Sequence, residues 1–200
     1  MIWAGAAGAA LGLAVLVLLW VRRSYKVFYL QTPSMEPTII GHTAGQRDTL
    51  SGRVFEATER DHVLVDLRAY RRREPEIGHI VAFRSPPELS AQFGGAQFTW
   101  LKRVVGRPGD SIQFADGMLL RNGEPITEPY LAEPMQADRD FLNVYGGETP
   151  VLLAASEVFV AGDHRNNSND SRFWGPVHRR YIVGHAIRIT APRARRRLLA

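Results

Sequence analysis

Three short stretches hold the residues of this chain that could do chemistry. The first is Thr32-Pro33-Ser34-Met35-Glu36-Pro37-Thr38, a serine set between two prolines at the end of a strand-prone run. Proline fixes φ, so the backbone carrying that hydroxyl is stiffly presented. The second surrounds Lys102 in Phe98-Thr99-Trp100-Leu101-Lys102-Arg103-Val104-Val105-Gly106. Of the 25 Lys and Arg residues only Lys26 and Lys102 are lysines. Arg keeps its proton in proteins, whereas a buried Lys sheds it and can then act as a base. The third, Gly162 to Pro176, crowds short polar groups, Ser168 and Asp170 among them, beside the aromatic pair Phe173-Trp174.

A serine and a neutral lysine can together form a nucleophile and its base, one variant of the triad logic. The lysine must then lose several pKa units to burial, each worth about 1.4 kcal/mol. Trp100, Leu101, Val104 and Val105 supply apolar neighbours, and strand alternation turns Arg103 to the opposite face. Each stretch alone also has a plain reading: a turn serine, a strand-edge lysine, and a loop braced by an Asp170–Arg172 pair.

Other chemistries find less support. His42, His62, His79, His164, His178 and His185 fall in turns or at strand starts, and no Ser/His/Asp order stands out. The metal pattern H-E-x-x-H is absent, and Gly106-Arg107-Pro108-Gly109 lacks the Lys-Ser/Thr ending of a phosphate loop. Ser34 is followed by Met-Glu-Pro, which excludes the S-x-x-K pattern. The chain has no cysteine, so disulfides, thiolate metal sites and a Cys nucleophile are excluded.

The elements that must position these residues read as mainly β. Val27–Thr32, His62–Leu67, Ile80–Phe83, the Lys102 run, Ser111–Phe114, Met118–Arg121, Val158–Val160 and Tyr181–Thr190 are rich in strand formers. Ala115-Asp116-Gly117 and Asn122-Gly123 read as hairpin turns. Residues 41–60 read as a polar loop with room for a short hairpin, 88–97 as a flexible loop, and 124–150 as mostly loop. No long amphipathic helix and no repeat is visible.

Ile2 to Val21 is an uncharged run of 20 residues. At 1.5 Å per residue it spans about 30 Å, the thickness of a bilayer's hydrocarbon core. It lacks the basic start and short apolar stretch of a cleaved signal peptide, so the expectation is a retained transmembrane anchor over residues 1–21. Trp3 and Trp20 sit near its ends, where interfacial aromatics are expected. The net charge of +5 concentrates in Arg clusters, including Arg193 to Arg197, that suit a solvated or lipid-facing tail over 193–200. Nucleic acid is not expected as a partner, because an anchor stands where a DNA-binding domain would be needed.

Taken together, the stretches resemble the signature boxes of the bacterial type I signal peptidases, membrane-anchored Ser/Lys endopeptidases that remove signal peptides. Thr32 to Thr38 resembles the nucleophile box, His62 to Tyr70 a strand box, Lys102 to Asp110 the lysine box, and Gly162 to Val177 the last box. Gly123-Glu124-Pro125 with Glu128-Pro129-Tyr130-Leu131 resembles the connecting segment. The resemblance covers about residues 22 to 190, with the boxes in family order.

It implies coiled antiparallel β-sheets behind one N-terminal transmembrane helix. The catalytic domain would span residues 22–192, with a reduced second subdomain at about 111–157. Carried over by position, Ser34 is the nucleophile, Lys102 the general base, and Ser168 orients the amine. The Ser34 N–H and the Thr32 hydroxyl form the oxyanion hole, and Asp170 and Arg172 brace the site. Leu30, Gln31 and Thr32 with Thr99, Trp100 and Leu101 flank an extended substrate that is cut after small residues of the Ala-x-Ala type.

The implied partners are signal-peptide-bearing preproteins, membrane lipid and the translocation machinery, with no metal or cofactor. Arg22, Arg23 and Lys26 follow the apolar run, which by charge bias alone places the large domain in the cytoplasm. The resemblance implies the opposite, a single-pass protein of the cell membrane with its catalytic domain on the extracytoplasmic side.

The chain departs from the family pattern at Pro33 (usually Gly), His164 (usually Asn), Trp100 (commonly Tyr) and in a longer polar segment at 40–60. A specialised processing peptidase with the same dyad and a non-catalytic, membrane-tethered peptide-binding β-domain are the alternatives.

Overall fold

A computed structural model describes residues 2–48, 52–131, 133–136 and 145–199, with the side chains of residues 2–11 excluded. Helix α1 (Ile2–Ser24) is 23 residues long. Among the described residues no helix is long and apolar enough to cross a membrane; the anchor expected over residues 1–21 falls partly outside them. The helix leads directly into β1 (Tyr25–Tyr29). There follow β2 (Gly41–His42), β3 (Glu59–Arg60), β4 (His62–Asp66), β5 (Ile80–Arg84), α2 (Pro87–Ala91), β6 (Thr99–Gly106), β7 (Ser111–Ala115), β8 (Met118–Arg121) and β9 (Glu124–Pro125). The chain continues with β10 (Val151–Leu152), β11 (Glu157–Ala161), α3 (Ser171–Trp174), β12 (Val177–His178), β13 (Ile182–Ala191) and β14 (Arg197–Leu198).

The described residues form one large sheet in the order β1-β4-β13-β5-β6-β11-β12, with β14 added to β13. A second sheet runs β10-β7-β8-β9, and β2 pairs with β3 in a two-stranded ribbon. All of these pairings are antiparallel. The mainly β expectation therefore holds.

The centre of the large sheet is buried on both faces, which is why β5 and β6 read as nearly continuous apolar runs. In register, Val81 faces Lys102, Ala82 faces Leu101 and Phe83 faces Trp100. One face carries Val81, Phe83 and Val104 against Leu89, Val160 and Trp174. The other carries Ile80, Ala82 and Leu101 against Leu30, Met35 and Ile39. A third apolar cluster, with Ile112, Phe114 and Leu119 against Val105 and Phe159, joins the second sheet to the first. The two hairpin turns there place consecutive residues at positive φ, Asp116-Gly117 (50° and 73°) and Asn122-Gly123 (57° and 83°), which matches the right-handed twist of the flanking strands.

Three expectations need correction. β1 ends at Tyr29, not Thr32, because the chain turns into a 3-10 segment at Pro33–Met35. The loop expected at 88–97 begins with a helix, α2, which starts on a proline, the residue whose missing N–H costs least there. The Arg-rich C-terminus keeps Arg193, Arg196 and Arg197 exposed but is not a free tail. Arg195 pairs with the buried carboxylate of Asp61, β14 extends the sheet, and Leu199 enters the core cluster of Met35 and Ile39.

Candidate active site

Three elements converge where the reactive residues lie. Ser34 sits in the 3-10 turn that closes β1, buried between Pro33 and Met35. Lys102 is near the middle of β6. The loop after β11 supplies Gly162 to Ser168. That loop can close on the serine turn because residue 162 has no side chain: a Cβ there would stand 2.3 Å from the Ser34 carbonyl and 2.2 Å from Ser168 Oγ. The His164 N–H donates to the Ser34 carbonyl at 3.2 Å, tying loop to turn.

Lys102 Nζ lies 2.5 Å from Ser34 Oγ, although 68 residues separate them in sequence. The lysine is 1 % exposed. Burial pushes its pKa down to about 8; the Asp170 carboxylate opposes the fall and the Arg172 charge adds to it. At pH 7 about a tenth of it is then neutral and able to take a proton, against less than about a thousandth of an ordinary lysine. Thr32 Oγ1 stands 3.2 Å from Ser34 Oγ, and its exposed position leaves it at the rim.

Ser168 lines the same cleft as Ser34 and Lys102. Its hydroxyl is buried and has no hydrogen-bond partner among the described residues. The expected Ser168–Lys102 hydrogen bond is thus not formed in this structure, though the side chain is in place beside the site.

Asp170 and Arg172 are paired through Nε–Oδ1 at 2.8 Å and Nη2–Oδ2 at 3.0 Å, both fully buried. Burial alone would raise the Asp170 pKa. The Arg172 charge, its hydrogen bond and the Gly162 N–H outweigh that and hold it below the usual carboxylate range. Since Gly162 N donates to Asp170 Oδ2 at 2.9 Å, the ion pair fixes the glycine on which Ser34 rests. Arg172 also reaches the Arg165 carbonyl at 2.8 Å. Arg165 in turn forks onto Glu128 of the connecting segment at 2.6 and 2.5 Å.

Two grooves meet at Ser34 and Lys102. The first, about 280 Å³, runs between Leu30–Thr32 and Thr99–Leu101 and is floored by Phe93 and Phe98. Leu30 itself points into the core, leaving Gln31 and Thr32 exposed on that side. The second, about 680 Å³, adds Gln46, Phe173 and the Asn166–Asn169 stretch.

Phe93 and Gln46 were not legible as site residues. Phe93 lies in a Gly-rich segment and reaches the cleft only by packing on Phe98 and Trp100, with ring centres 5.6 and 5.7 Å away. An aromatic inside an otherwise polar loop was the available signal. His164 lies 3.4 Å from Glu133 and 3.8 Å from Asp48, joining the segment at 40–60 to the stretch around Glu133.

The sequence profile of the family described as "Signal peptidase, peptidase S26" matches residues 2–190. A "Probable signal peptidase I-1" of Synechocystis sp. is 35% identical over 64% of this chain and 60% of that protein. A "Signal peptidase I" of Leptolyngbya laminosa is 30% identical over 88% of this chain and 74% of that protein. A "Thylakoidal processing peptidase 1, chloroplastic" of Arabidopsis thaliana is 33% identical over 64% of this chain and 36% of that protein. The chain spans from about a third to three quarters of the length of these relatives. A match running over nearly the whole chain and through all three converging elements places this protein in the signal peptidase, peptidase S26, family.

Proposed function

We propose that this protein is a membrane-anchored serine endopeptidase that removes N-terminal signal peptides from translocated preproteins, using Ser34 and Lys102 as a dyad. One observation carries the reading: a lysine amine, buried and pushed toward neutrality, 2.5 Å from a serine hydroxyl. Neutral Lys102 takes the Ser34 proton as Oγ attacks the scissile carbonyl. The tetrahedral oxyanion is met by the Ser34 N–H and the Thr32 hydroxyl, where one donor is commonly worth about 3 kcal/mol. Lys102 returns the proton to the leaving amine, and the signal peptide remains as an acyl-enzyme on Ser34. The free amine then deprotonates water, which attacks the ester and releases the peptide and Ser34.

The substrate chain lies extended between Gln31–Thr32 and Thr99–Leu101, adding a strand by main-chain hydrogen bonds. A bulky Trp100 at the groove favours small side chains before the cut, in the Ala-x-Ala manner. Residues 1–21 hold the domain at the membrane; α1 at 23 residues would reach about 34 Å at 1.5 Å per residue. The substrate is tethered in the same bilayer, so co-tethering raises its effective concentration. The catalytic domain lies on the extracytoplasmic side of the cell membrane, where lipid and the translocation machinery are its neighbours.

Incubating the purified protein with a preprotein and sequencing the new N-terminus tests the activity. Cleavage after a small residue is expected, and Ser34→Ala and Lys102→Met should each abolish it while staying folded. Processing by either variant at the wild-type rate would sink the dyad. Cleavage of only one among several unrelated signal peptides would favour a specialised peptidase over a general one.

A further inference from the structure

The segment after the nucleophile, Met35 to Ile40, is held from behind by the Arg-rich C-terminal run. Arg195 forks onto Asp61, Nε to Oδ1 and Nη2 to Oδ2 both at 2.9 Å, and that carboxylate is fully buried. The same Asp61 Oδ2 accepts the Ile40 N–H at 2.9 Å, while Asp61 N donates to the Ile40 carbonyl at 2.9 Å. Arg195 also reaches the Pro37 carbonyl at 3.4 Å, and Arg197 donates to the Thr38 carbonyl at 2.6 Å. Leu199 packs in the cluster of Met35 and Ile39. Arg196 and the pairing of β14 with β13 fasten the run itself to the large sheet.

We infer that Arg195 and Arg197 are positioning residues: the C-terminal run is a brace that sets where Ser34 Oγ stands relative to Lys102. A 3-10 turn of three residues has no ladder of its own to fix it, so its place depends on what grips the residues on either side. On the upstream side β1 and Pro33 do this. Downstream, the Glu36 carboxylate meets His42 Nδ1 at 2.8 Å, Met35 and Ile39 enter the core, and the main chain from Pro37 to Ile40 is gripped by Asp61 and by residues 195 and 197. Nucleophile and base act through one short contact, and a misplacement of about 1 Å from a remote change can cost about 10²-fold. This inference rests on the reading of Ser34 as nucleophile.

The test compares Arg195→Ala, Arg197→Ala and Asp61→Asn with the parent protein, at a temperature well below each variant's thermal midpoint. Two substrates are used: a preprotein, and a small activated aryl ester that touches little beyond Ser34. For Arg195→Ala, kcat on both should fall about 10-fold with KM within twofold. Arg197→Ala should give a smaller loss, and Arg195→Lys should recover part of it. Arg195→Ala combined with Asp61→Asn should lose no more than the worse single change, since both remove one contact. Arg193→Ala, exposed and outside the brace, is the control. A lowered thermal midpoint with unchanged ester turnover in both Arg195→Ala and Arg197→Ala would overturn the brace, as would a change confined to KM. Ester and preprotein turnover that survives Ser34→Ala, or is missing from the parent, would instead overturn the reading of Ser34.

Discussion

Lys102 and Arg103 are neighbours on β6, both cationic by type and both buried, at 1 % and 6 % exposure, yet the fold treats them oppositely. Arg103 receives a full set of partners: a fork onto Asp163 at 2.8 and 2.7 Å, the Gly78 carbonyl at 2.7 Å, and the face of Tyr130 at 4.1 Å. Lys102, turned to the other face by the strand's alternation, receives a serine hydroxyl in place of a carboxylate. The charges that act on it most, Asp170 and Arg172, are matched to each other and work in opposite senses, and the next, Asp163, is held by Arg103. A buried charge that is well paired stays charged, and one left unpaired gives up its proton. One strand therefore presents a permanent strut on one side and an amine able to give up its proton on the other.

The contrast can be broken first at Lys102. Lys102→Met keeps the length of the side chain and deletes the amine, so turnover should fall about 10²–10⁴-fold. The urea midpoint should hold or rise, since an unpaired buried amine is gone. Next comes the strut. Arg103→Met leaves Asp163 buried and uncompensated and should cost about 3–5 kcal/mol of stability. Adding Asp163→Leu should recover most of that, and a double variant as unstable as the single would show that the ion pair is not the cause.

The third prediction concerns pH. The proposed dyad needs neutral Lys102, so kcat/KM should rise with pH through about 8 and then level off. Stability follows the same proton. Below pH 8 the lysine is charged in both the folded and the unfolded chain, and the folded state bears the full cost of burying it. Between about 8 and the ordinary 10.5 the unfolded chain binds more protons, so stability from this group increases with pH. At about 1.4 kcal/mol for each pH unit the gain is on the order of 3 kcal/mol. Lys102→Met should abolish that difference, which paired denaturation curves at pH 7.5 and 10 would detect.

The smallest effect is expected at Ser168. Its hydroxyl is buried without a partner among the described residues, and such a group costs about 1–3 kcal/mol. Ser168→Ala should therefore leave stability equal or higher by roughly 1 kcal/mol. If the hydroxyl orients the amine once substrate closes the cleft, kcat should fall about tenfold. Unchanged kcat would remove Ser168 from the lysine's surroundings in the working enzyme.

Much of this was legible in the chain. Runs of strand formers marked β4 and β7, and the Asp-Gly and Asn-Gly turns marked the hairpins of the second sheet, because these are local consequences of side-chain type and positive φ. A lysine inside an apolar strand of a chain with only one other, Lys26, marked Lys102 as a residue to watch. What stayed hidden was long-range. The helix α2 is a single short turn started by a proline, too brief for any periodicity. Phe93 enters the cleft only because Phe98 and Trp100 pack beside it. The Arg-rich C-terminus looked like a solvated tail because composition records charge and not the carboxylate at Asp61 waiting for it.

By itself, then, the sequence determined which groups could react and which segments could be strands. Only the tertiary structure decided that Ser34 Oγ and Lys102 Nζ meet at 2.5 Å, that Arg103 finds Asp163 while Lys102 finds no carboxylate, and that residues 195–199 contact the segment after Ser34. Chemical type and local geometry are properties of a residue and its near neighbours. Proton affinity and reach depend on what the fold packs around it, and that is supplied by chain many residues away.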